Sequence, residues 1–281
     1  MKRAKQMFAV LLCIAALCVL APAALAAQGA DVAVVLPLYQ KVKEKFSDQL
    51  HFECYDYVDL AWRHSYCGLF SMERDGVTWY FLDNEQYFRR PELYGYMDDG
   101  ERFGFFSRAV VRMLPHLRFW PEVIHCNDWQ TALVPIYLKD DSVREERFRS
   151  IRTVLSIHNI EYQGRYGRQT LGDLFGLDHG WWDDGTIAMD GDVNLLKGAI
   201  LCADAVNAVS REICAGKWSM DEAEAALTRV ETLTPERPIT HIFACALGAA
   251  SFCYLFGGAL LVISLILLSN TIRLAIFSKR Y

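Results

Sequence analysis

The chain has 281 residues, 53% hydrophobic and 13% aromatic, with a net charge of −5 at neutral pH. That length supports a buried core in one large domain or two small ones. The middle of the chain has no basic run, so the electrostatic footprint of a nucleic-acid binder is missing.

The apolar excess is concentrated at the two ends: residues 6–30 and 238–272 contain no Asp, Glu, Lys or Arg. Residues 1–27 have the parts of a secretory leader. Lys2, Arg3 and Lys5 form a basic start, Met7 to Leu20 an apolar stretch, and Ala24-Leu25-Ala26 a small-residue cleavage site after Pro22. The same stretch is just long enough for an uncleaved anchor helix. Either reading places it outside a soluble fold.

Asp31 to Pro37 is a short apolar run ending in a breaker, as expected of a buried parallel strand. Tyr66 to Arg74 and Val77 to Leu82 flank Asp75-Gly76, a hairpin signal. From Gly100 to Leu117 the spacing of Phe103, Phe106, Val110, Val111 and Leu114 predicts a helix that stops near Pro115. A strand at Val123 to Cys126 precedes a helix from Asp128 to Leu138. Ile151 to Ile157 reads as a strand, Asn194 to Leu201 as a helix, and Ala205 to Val209 as a strand. Such alternation implies a mostly parallel sheet covered on both faces, with ligands beyond the carboxyl ends of its strands. The polar clusters there are Asn127-Asp128-Trp129-Gln130-Thr131 and His158-Asn159-Ile160-Glu161-Tyr162-Gln163-Gly164, which should face one crevice.

Beyond a linker containing the amphipathic start Ser219 to Ala223, Ile242 to Ser269 exceeds the roughly 20 residues that cross a bilayer. Arg273, Lys279 and Arg280 follow it as a cytoplasmic flank. Residues 217–281 are therefore expected to be a linker and a membrane helix at 242–269. Basic residues outside both apolar ends would place residues 28–237 on the non-cytoplasmic side. The nine cysteines are irregularly spaced with no CxxC pair, the pattern of reduced buried thiols rather than of disulfides or a zinc site.

Three segments carry a family resemblance. His125-Cys-Asn-Asp128-Trp129 resembles the HxxDW motif of bacterial-type glycogen and starch synthases, and Ser156-Ile-His158-Asn159-Ile-Glu-Tyr162-Gln163-Gly164 a second motif of their N-terminal domain. Asn194-Leu-Leu-Lys197-Gly198 through Asp204 to Ser210 resembles the element before their crossover to a second domain. Weaker likeness runs back through Tyr96 and Tyr80 to Asp83 as far as Asp31, so residues 31–215 follow the family's order.

The resemblance implies an α/β fold: residues 28–216 as an incomplete Rossmann-like, acceptor-side N-terminal domain of a two-domain GT-B glycosyltransferase, here flanked by apolar helical segments. It implies transfer of glucose from ADP-glucose (UDP-glucose in some members) to the non-reducing end of an α-1,4-glucan with retention, and no metal or other cofactor. Asp128 and His158 would be the catalytic-site residues, His158 against the transferring glucosyl. Tyr96, Asn159 and Gln163 would be polar contacts to sugar or acceptor. Taken singly, Asp128 also fits a helix N-cap and His158 a hydrogen-bonded core histidine, while Trp129 fits core packing.

Two departures stand out. The family's opening strand and Lys-Thr-Gly-Gly-Leu loop are replaced by the apolar leader, and the second domain's cationic diphosphate grip has no counterpart. The chain alone is therefore expected to be inactive in transfer. The other function classes are a non-catalytic, membrane-tethered glucan-binding module and a membrane transport component. The latter rests on residues 217–258, which resemble the threonine/serine exporter family. A membrane location is expected, with the family's cytoplasmic location as the alternative.

Overall fold

The structure is a computed structural model that describes residues 8–12, 22, 26, 29–141, 143 and 145–208. Eight strands form one sheet: β1 Phe8–Leu12, β2 Asp31–Pro37, β3 His51–Leu60, β4 Arg63–Arg74, β5 Val77–Asp83, β6 Val123–Asn127, β7 Arg152–Ile157 and an edge strand Ala205–Ala208. Three short strands form a second sheet: β8 Arg165–Gly167, β9 Ala188–Met189 and β10 Asp192–Asn194. The edge strand is β11, and the large sheet runs β11-β7-β6-β1-β2-β5-β4-β3. Every pairing from β11 to β5 is parallel, whereas β4 pairs antiparallel with both β5 and β3.

The longer helices are α1 Gln40–Phe46, α2 Asp99–Met113, α3 Leu133–Asp141 and α4 Leu195–Cys202. Alternation along β2 shows how two layers form. Ala33 and Val35 join the core shared with α2, α3 and α4, while Val32 and Val34 join a smaller core with Phe46 of α1, Met72, Trp79 and Phe81. A strand covered on both faces has no polar side to present, which is why residues 31–37 read as a continuous apolar run. The α/β alternation expected from sequence is the observed one. The helix after β6 differs in detail, being a 3₁₀ turn at Trp129–Thr131 followed by α3.

The apolar opening departs from expectation. Phe8–Leu12 is the middle strand β1, paired parallel with β2 on one side and β6 on the other. The reading of the opening as lying wholly outside a soluble fold fails for these five residues. A short uninterrupted apolar run suits the centre of a parallel sheet as well as it suits a leader, and composition does not separate the two. The expected span at 242–269 lies outside the described residues. Among those described, no helix is long and apolar enough to cross a membrane.

Candidate active site

The carboxyl ends of β6 and β7 lie side by side, with Asn127 paired in register with Ser156. Immediately beyond β6 the chain turns sharply. Asp128 has φ 57° and ψ −174°, backbone space that is essentially reserved for glycine. Its amide donates to the Ser156 carbonyl at 2.9 Å, which ties the turn to the neighbouring strand.

Asp128 stands at the start of the 3₁₀ turn, where a helix cap belongs, yet its carboxylate makes no capping bond. Oδ1 reaches across to the β7 loop instead and accepts from the backbone amides of His158 at 2.7 Å and Asn159 at 3.4 Å. The capping alternative is thereby removed. A backbone held in a glycine-only region costs about 1–3 kcal/mol, and such strain gathers where geometry serves a site.

His158 is held by its ring as well as by its backbone: Nε2 lies 3.0 Å from Asn127 Oδ1. Asn127 is buried and clasped by Thr131, whose Oγ1 accepts from the Asn127 amide at 2.7 Å and donates to its carbonyl at 2.8 Å. One pleat deeper, His125 Nε2 and Ser156 Oγ are 2.8 Å apart. His125, Asn127, Ser156 and His158 thus form two hydrogen-bonded rungs across adjacent strands.

Burial sets the charge states. It lowers the His158 pKa, against the pull of the Asp128 carboxylate. It also raises that of Asp128, against the His158 charge and the two amides that favour its ionised form. His125, fully enclosed, is pushed down to about 4 by burial and then by His158. A neutral imidazole beside an amide-bound carboxylate provides preset dipoles rather than a strong base.

The other expected residues divide. Asn159 is exposed beside Asp128, its Oδ1 accepting from the Glu161 amide at 2.9 Å. Gln163 turns inward, donating to the Ile160 carbonyl at 3.0 Å and accepting from Asn194 Nδ2 at 2.6 Å. It fastens the β7 loop to the start of α4. Tyr96 belongs to a separate cluster. Its ring has the guanidinium of Arg90 at 4.9 Å and that of Arg102 at 4.8 Å, and its amide donates to Asp99. None of these contacts reaches Asp128 or His158.

Asn127, Thr131 and Gly164 are not among the individually expected site residues. Asn127 and Thr131 had a signal, since both lie in the polar cluster after β6. Gly164 had none, because its need for φ +63° and for space beside Trp129 is set by tertiary packing: a Cβ there would meet Trp129 Cε3 at 2.8 Å. Trp129 is core packing as expected, edge-on to Phe103 at 5.4 Å.

Known proteins share this architecture. The family described as starch synthase catalytic domain matches residues 14–222, and the family described as putative threonine/serine exporter matches residues 202–278. A glycogen synthase of Lactobacillus acidophilus is 46% identical over 189 residues, covering 67% of this chain and 40% of its own length. That of Lactococcus lactis subsp. lactis is 49% identical over 181 residues, covering 64% and 38%. The solved catalytic domain of Starch Synthase IV from Arabidopsis thaliana, bound to ADP and acarbose, superposes with a TM-score of 0.65 at 24% identity, covering 82% of this chain and 50% of that one. The chain spans about two-fifths of the length of the curated relatives it matches.

Proposed function

This chain belongs to the starch synthase catalytic-domain family, and from that premise we propose that residues 28–216 carry the acceptor-side half of a glucosyltransferase site. The reaction is transfer of glucose from ADP-glucose to the non-reducing end of an α-1,4-glucan. The observation that carries this reading is the Asp128–His158 junction: an aspartate on strained backbone, its carboxylate hydrogen-bonded across two strand ends to the residue that bears the imidazole. An oxocarbenium-like centre is stabilised by acceptor dipoles and carboxylate charge that are fixed in advance. His158 faces the transferring glucosyl and Asp128 fixes His158. Asn159 contacts sugar from the exposed rim, and Tyr96 contributes from its own loop. Gln163, with both ends of its amide engaged, serves by holding the β7 loop.

The test has a binding arm and a transfer arm. Saturation-transfer NMR with maltoheptaose and with ADP-glucose should show contact that is lost in His158→Ala and Asp128→Ala. Any incorporation of labelled glucose into glycogen should fall in the same two variants. Neither ligand touching the crevice would overturn the assignment.

Membrane attachment through 242–269 is a separate part of the proposal. It is supported by the charge-free run there and by the exporter-family match at 202–278. Carbonate washing of membranes from expressing cells should leave the full chain bound; ready release would remove this part of the proposal.

A further inference from the structure

The His158 ring has two nitrogens, and their surroundings differ. Nε2 faces Asn127 Oδ1 at 3.0 Å, whereas Nδ1 makes no hydrogen bond among the described residues. A neutral imidazole carries one N–H and one lone pair, and the partner of one nitrogen decides the role of the other. The amide oxygen of Asn127 can only accept, so Nε2 must be the N–H. Asn127 is well placed to impose this, because it is buried and its backbone is closed on both sides by Thr131 Oγ1. The backbone of His158 is pinned independently by Asp128 Oδ1.

We infer that Asn127 is a positioning residue that locks His158 in its Nε2–H tautomer and so presents the Nδ1 lone pair as a hydrogen-bond acceptor for a sugar hydroxyl. The sugar half of this inference rests on the function proposed above; the tautomer half does not. In this role Asn127 acts through His158. A site built this way takes a hydroxyl donor at Nδ1 and disfavours an ether or carbonyl oxygen in the same place, since two acceptors would then meet.

The full chain, labelled with ¹⁵N-histidine, decides it. Two-bond ¹H–¹⁵N correlations distinguish the protonated from the unprotonated ring nitrogen, and His158 is assigned by its absence in His158→Gln. In the wild-type chain the Nε2–H form should exceed the other by at least about tenfold, the ratio expected from one buried hydrogen bond. Asn127→Ala should bring the two forms to comparable populations. Asn127→Asp, isosteric and an acceptor when ionised, should keep Nε2 protonated, and unchanged signals from the distant His51, His64, His116 and His179 check that each variant is folded. An Nδ1–H form in the wild type, or a wild-type ratio retained in Asn127→Ala, would overturn the lock. Adding maltoheptaose or ADP-glucose should then shift the Nδ1 resonance. A locked tautomer with no such shift upholds the role of Asn127 and counts against the proposed function.

Discussion

The two halves of the large sheet handle an aspartate with positive φ in opposite ways. In the antiparallel half, Asp75 (φ 55°) and Gly76 (φ 75°) connect β4 to β5. Both central residues of a type I′ hairpin need positive φ, and Asp-Gly is a preferred filling because its twist matches the strands. In the parallel half, Asp128 has nearly the same φ but an extended ψ, a combination with no such local justification. The antiparallel half also exposes aromatic rings on β3 and the β3–β4 turn, with Tyr55 58% and Trp62 78% accessible, while the parallel half buries the His125–Ser156 rung and half-buries the Asn127–His158 one. Unusual backbone at the hairpin serves the fold; at the β6 end it serves the arrangement of side chains.

Acid should separate the halves most. The unfolded chain protonates His125 near its ordinary value of 6.5, while the folded chain resists until about 4. The unfolded state therefore binds more protons in that window, and stability falls as the pH drops through it, by about 3 kcal/mol in total from this group. Urea denaturation of wild type and His125→Asn between these limits checks it. The variant's stability should be flatter with pH, and an equally steep fall would remove His125 as the cause.

Strain at Asp128 is tested by two substitutions. Asp128→Ala loses a carboxylate that accepts two amides and keeps the unfavourable backbone, and should cost about 2–3 kcal/mol. Asp128→Gly loses the same bonds but tolerates the conformation, and should be the milder by about 1–2 kcal/mol. Equal losses would mean that the backbone relaxes without penalty.

A smaller contrast lies in the glycines. Gly164→Ala meets both positive φ and the Trp129 ring, and should cost about 2 kcal/mol or more. Gly76→Ala has only Ala26 at 3.9 Å, and should cost about 1 kcal/mol from conformation alone. The smallest effect belongs to Asp75→Gly, which should stay within about 0.5 kcal/mol, as expected where both turn residues already suit glycine. Thermal denaturation ranks all three.

Strand β3 shows where legibility ran out. Val58 and Leu60 are buried, but Tyr55 and Tyr57 on the other face are exposed, and the pairing slips between Phe52 and Cys54. Alternation was therefore masked by aromatic residues on the wet face and broken by the irregularity. By contrast β2, β6 and β7 were plain, because burial on two faces makes an apolar run with a polar cluster at its end.

Sequence by itself determined the α/β alternation, the hairpin at Asp75-Gly76 and the placing of Asp128 and His158 beyond the ends of neighbouring strands. Periodicity, turn chemistry and strand-end polarity are local properties, and short stretches of chain carry them whole. Tertiary structure alone decided that Phe8–Leu12 is a central strand, that Asp128 turns away from its own 3₁₀ turn toward the His158 amide, and that Tyr96 is tied to Asp99 and Gln163 to Asn194. Each of these depends on which neighbour lies across the sheet or loop. A hydrogen bond between residues thirty positions apart leaves no mark on the spacing of either one.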